Sequence, residues 1–161
     1  MIPTLPFGNT IFCDDIRDEV GGKNSFMGVY AGDIRLPEVP GNLAKFGFGV
    51  RYFHAVDDAR EPVILRIFVP GKEGDILALE AALPVAEARK GATAPSFRDD
   101  DAETPLLALM ANVVMSPFQV QATGRIKVRA YVGPEEEEIR LGTLAVELAP
   151  TVLPRPDDDA S

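Results

Sequence analysis

Apolar and polar positions alternate with a period of two along much of this chain. Between Phe46 and Val56, one face collects Phe46, Phe48, Val50, Tyr52, His54 and Val56, and the other Gly47, Gly49, Arg51, Phe53 and Ala55. No helix gives that period, so the stretch is predicted as a strand. After Pro62, Val63, Leu65, Ile67 and Val69 face inward and Arg66 outward. From Arg125 to Val132, Ile126, Val128, Ala130 and Val132 share the inner face. Ile139 to Leu148 follows, with Leu144, Val146 and Leu148 inward. Shorter strands are expected at Asn9 to Cys13 and Ser25 to Gly32.

Two stretches carry mixed signals. Ile76 to Leu83 is rich in helix formers, but Pro70, Gly71 and Gly74 mark a hairpin just before it and Pro84 stops it soon after, which favours a strand. Leu106 to Met115 has apolar residues at helical spacing. Asn112 and the pair Val113-Val114 are weak helix formers, so a strand is expected, with a helix as the alternative. Asp33 to Ala44, with Pro37, Pro40 and Gly41, reads as a connection, and Ser116 to Gly124 as a loop. Val85 to Pro105 is the longest weakly patterned segment, with a helical turn conceivable at Val85 to Lys90. The sum is about eight strands with turn signals between them and no crossover helices: an all-β, antiparallel β-sandwich of the Ig-like or Greek-key type. The expected organisation is one sandwich domain over 1–149, beginning with a Pro-bearing extended arm at 1–8, and a flexible acidic tail at 150–161.

Charge narrows the partners. The formal net charge is -9 and the pI near 4.6, which disfavours nucleic acid and anionic lipid. A single cysteine forms no internal disulfide. No basic, apolar leader opens the chain and no apolar run is long enough to span a bilayer, so a cytoplasmic location is expected.

Candidate chemistry is sparse. If consecutive strands simply alternate in direction, the acidic loops Asp14-Asp15, Asp57-Asp58, Asp99-Asp100-Asp101 and Glu135 to Glu138 all lie at one end. Oxygen-rich loops of that kind bind Ca²⁺ in some sandwiches, which makes these Asp residues the candidate metal ligands. The competing reading is that Asp is simply a common turn residue, with Arg17, Lys23, Arg60 and Arg98 at hand to neutralise it. His54 is the lone histidine, on an apolar face, and is expected to be packed rather than catalytic. Cys13 lacks any partner that would depress its pKa and is expected to be a buried, inert thiol. Gly21-Gly22-Lys23-Asn24-Ser25 is not a phosphate loop: Arg17 stands where the first Gly belongs and Asn24 follows the Lys. Arg125, Lys127 and Arg129 form an outward basic row, for which pairing with Glu147 or Glu80 across strands is expected. No cofactor is expected.

The most distinctive stretch is the run from Phe12 to Tyr30, two apolar segments around a polar turn. Its residues Cys13-Asp14-Asp15-Ile16-Arg17, Glu19, Gly22-Lys23, Ser25 and Gly28-Val29-Tyr30 resemble a family of uncharacterised bacterial and phage-associated proteins. Asn112, Pro117-Phe118, Gly124 and the strand to Gly133 are similar to that family's second half, so the resemblance spans most of the chain. It implies an all-β domain and no assigned activity. Within the run, Asp14, Asp15, Arg17, Glu19 and Lys23 carry both signs of charge and are expected to form a salt-linked structural loop. The functional expectation is a non-catalytic binding or assembly module acting on a protein partner or on itself. The alternative is a Ca²⁺- or small-ligand-binding domain.

Overall fold

The computed structural model describes residues 4–91 and 106–151. The fold is all-β. Two sheets face one another across a single core. One contains β1 (Phe7–Cys13), β6 (Phe46–Ala55) and β9 (Leu106–Met115), in the order β1-β6-β9. The other contains β4 (Asp33–Leu36), β7 (Val63–Gly71), β8 (Gly74–Ala82), β11 (Gly124–Val132) and β12 (Glu137–Leu148), in the order β4-β12-β11-β7-β8. Two small ribbons flank them: β2 (Asp15–Glu19) with β3 (Lys23–Met27), and β5 (Gly41–Leu43) with β10 (Phe118–Val120). A short helix, α1 (Val85–Gly91), follows β8.

The alternation places the core as expected. Phe46, Phe48, Val50 and Tyr52 of β6 are buried, as are Val63, Leu65, Ile67 and Val69 of β7 and Ile126, Val128, Ala130 and Val132 of β11. Phe118, in a stretch expected to be a loop, stacks on Phe46 with ring centres 4.7 Å apart. Leu106–Met115 is a strand, paired with β6 without interruption from Phe46↔Met115 to Ala55↔Leu106.

Four differences from the sequence reading have physical causes. Among the described residues there are twelve strands, because the Pro- and Gly-rich connection donates two short ones, β4 and β5, and the polar turn after Cys13 and the Phe118 loop donate one each, β2 and β10. Strand β4 pairs in parallel with β12, a long-range pairing that no turn signal announces. The arm is shorter than expected: Phe7 and Gly8 already pair with Phe53 and Tyr52, and Phe7 stacks on Phe53 at 4.8 Å. Finally, Leu148 is 52% exposed rather than inward, and Leu141 is buried in addition to Leu144 and Val146. A bulge explains the change of phase near Leu141. Val128 pairs with Gly142 and Arg129 with Arg140, so Leu141 is the extra residue, and the inward face shifts by one position across it.

The two long sides of the sandwich are unlike. On one, β1 runs against β12 so closely that a Cβ on Gly142 would stand 2.9 Å from Cβ of Thr10. The other side ends in the outer strands β9 and β8. The chain terminus outside 151 and the segment carrying Asp99, Asp100 and Asp101 lie outside the described residues.

Candidate functional site

The Phe12 to Tyr30 run folds as a hairpin laid over the outer face of the β1-β6-β9 sheet. Its turn, Val20-Gly21-Gly22, needs left-handed backbone at both glycines (φ 85° and 72°). Ile16 and Phe26 pack down onto Gly47 and Gly49, which have no side chain to obstruct them; a Cβ on Gly49 would lie 2.4 Å from the Phe26 ring. The glycines in the alternating strand are thus the seat of the hairpin.

The charged residues of the run form a network of exposed contacts. Asp15 lies 3.6 Å from Arg17 and 3.5 Å from Lys45. Asp18 accepts from Asn24 at 2.7 Å, and Glu19 accepts from the Ser25 hydroxyl at 2.9 Å. Lys23 sits opposite Glu19 in the ribbon register. Asp14 accepts a 2.5 Å hydrogen bond from the Tyr30 hydroxyl, and burial together with that carboxylate raises the Tyr30 pKa. Cys13 is fully buried with its Sγ 3.7 Å from the Gly47 carbonyl, and burial pushes the thiol pKa up.

The acidic loops do not share one end. Cys13 pairs with Gly47 at the start of β6, whereas Asp57 and Asp58 follow its last residue, Ala55. Asp14-Asp15 and Asp57-Asp58 are therefore separated by about 25 Å of strand. Strict alternation fails because the chain makes the β2-β3 and β4 excursions between β1 and β6. What does meet is Asp58 with Glu137, bridged by Arg60: its Nη2 is 2.8 Å from Asp58, and its Nη1 contacts Glu137. These hydrogen bonds from Arg60 hold the Asp58 carboxyl down at about 2. Among the described residues, no three His, Cys, Asp or Glu side chains converge as a metal site would require.

Beneath this bridge lies His54, fully buried. Its Nε2 is 3.0 Å from the Asp58 carbonyl, which can only accept, so Nε2 carries the hydrogen. In the neutral ring Nδ1 then accepts from the Tyr52 hydroxyl, 2.8 Å away. Arg89 of α1 donates to the carbonyls of Val56 and Asp58, fastening the same loop. Two members of the basic row are paired, though with other partners than expected: Lys127 reaches Asp75 at 2.8 Å, and Arg129, buried rather than outward, approaches Glu138 at 3.6 Å, while Glu80 pairs with Arg66. Arg129 also donates at 2.9 Å to the carbonyls of Val128 and Gly142, filling the β12 bulge.

The chain's uncovered apolar surface lies elsewhere. The hairpin roofs only one half of the outer face. On the other half, Phe7, Phe53 and Met110 surround Arg51, and Met110 is 64% exposed. A groove of about 520 Å³ opens there, lined by Arg51, Phe53, Ala108, Leu109 and Met110. It runs along β9, whose outer side has no partner strand among the described residues. Sequence reasoning missed this surface. Its signal was the absence of any charge between Leu106 and Met115.

Comparison of the chain with protein families, curated proteins and solved structures finds no match.

Proposed function

We propose that this chain is a non-catalytic β-sandwich module for protein–protein interaction or assembly, working in the bacterial cytoplasm. One observation carries the reading: the half-roofed outer face of the β1-β6-β9 sheet, where Phe7, Phe53 and the exposed Met110 border an open groove beside the outer strand β9. Apolar surface of this kind beside an unpaired strand is a contact device. The polar clusters described above are engaged internally: Tyr52 with His54, Arg60 with Asp58 and Glu137, Arg66 with Glu80.

The test is quantitative affinity capture of tagged protein after mild cross-linking in the cells that produce it. The expected result is a stoichiometric partner, either another protein or untagged copies of this chain, that Met110→Lys releases. Recovery of the tagged chain alone, as a monomer, would sink the proposal.

A further inference from the structure

Resting on the assembly reading, we infer that the partner at this surface is a second copy of the same chain, joined through antiparallel pairing of β9 with β9 across a two-fold axis. The argument starts from how outer strands are normally protected. An exposed strand edge offers unpaired amides and carbonyls, and proteins blunt it with charge, proline, bulges or brevity. Three of the four outer strands here are dealt with. β4 is four residues long. β1 is packed against β12. β8 carries Asp75 and Glu80 and a bulge at Ala78, where Ile67 pairs with Leu79 and Phe68 with Leu77.

Among the described residues β9 has none of these four protections, although α1 meets it and β2 packs over part of it. It is ten residues long, pairs with β6 without a bulge, and contains neither a charged residue nor a proline. Both of its faces leave apolar surface unfinished. On the outer face Met110 and Val114 are 64% and 40% exposed. On the inner face Leu109, Ala111, Val113 and Met115 pack against the core but stay only partly buried. An added strand would cover both at once and satisfy the free backbone groups.

Self-pairing suits this strand. A two-fold axis through Met110 sets Leu109 against Ala111 and Leu107 against Val113 on the inner face, large beside small. It brings no charged residue of the strand opposite another, although each molecule carries a formal charge of -9. A strand about 33 Å long offers on the order of 400 Å² per subunit, about half of what a standard specific interface buries per partner and in the range of weak, transient ones. The dimer is accordingly a weak one, forming at micromolar concentrations.

Sedimentation equilibrium and amide hydrogen exchange on the purified full chain test this. Between about 1 and 300 µM the mass should rise from 17.4 kDa toward twice that value, with concentration-dependent protection of β9 amides. Met110→Lys lies on an exposed position and should weaken the dimer at least tenfold. Leu77→Lys on β8 should leave it unchanged. A dimer lost in Leu77→Lys and kept in Met110→Lys would overturn the assignment. So would open-ended oligomers, or a monomer whose β9 amides are already protected at every concentration, which would place another segment of the same chain on the edge. A clean monomer with unprotected β9 amides would also overturn it, while leaving the broader assembly reading to stand or fall on the capture experiment.

Discussion

Asp58 shows how a turn acid becomes structural. Its carboxylate receives Arg60, its carbonyl accepts from buried His54, and Arg89 reaches the same carbonyl from α1. Hydrogen bonds from Arg60 depress the folded pKa to about 2, below the usual carboxylate value of 3.8. A depressed acid stabilises the fold above its unfolded pKa and loses that contribution as pH falls through the folded one. The window is therefore about pH 4 down to pH 2. With Arg60 itself 42% exposed, solvent screening holds the contribution to about 1 kcal/mol. Asp58→Asn should lower stability by that amount at neutral pH and flatten the acid limb of a denaturant-midpoint-against-pH curve between 4 and 2. Parallel curves for parent and variant would show that Asp58 is not coupled to Arg60. The same residue was visible in the sequence as a possible cation ligand. What the sequence lacked was the position of Arg60, which sits close in the chain yet also reaches Glu137 in a distant loop.

At the scale of elements, the β2-β3 hairpin and β6 are fitted to each other. Phe26 and Ile16 occupy the space above Gly49 and Gly47, so the hairpin is held by packing as much as by its exposed ion pairs, each of which is worth little. Phe26→Ala should cost about 2 kcal/mol in urea unfolding. A loss below ~0.5 kcal/mol would mean that the charged network alone seats the hairpin. The long strands were legible from their alternation: Val63 to Val69 alternates in burial as in sequence, as do Arg51 to Ala55 and, apart from buried Arg129, Arg125 to Val132, while Gly47 and Gly49 are buried beneath the hairpin. The elements that escaped notice lack that signature. β5 and β10 are three residues long, too short to show a period. β4 sits between Gly32 and Pro37 and pairs in parallel with a strand more than a hundred residues away. The bulge at Leu141 broke the phase in β12, which is why Leu141 was not counted inside, whereas Leu148 keeps the phase of Leu144 and Val146 but lies beyond Val146, the last residue paired with β11, and is exposed. The candidate loops were misplaced for a related reason: the unseen short strands reverse the chain additional times, and Asp14 ends up far from Asp58.

For the whole molecule, charge and shape make opposing demands. A net charge of -9 keeps copies apart, and the ion pairs on the five-stranded sheet are satisfied internally. Among the described residues, β9 brings apolar positions to an edge with no charge in the strand to oppose a second copy, whereas the other uncharged outer strand, β1, is packed against β12. An association through that edge is driven by apolar burial and main-chain hydrogen bonds and resisted by the like charge of the two bodies. Raising ionic strength shortens the Debye length from about 20 Å near 20 mM salt to about 7 Å near 200 mM, which screens the repulsion and leaves the apolar contact intact. The dimer should therefore tighten severalfold over that range in sedimentation equilibrium. Contact through ion pairs, such as those the acidic loops could make with Arg35 or Arg140 of another copy, would loosen over the same range. The sign of the salt dependence thus separates the β9 edge from any charged surface, independently of substitution.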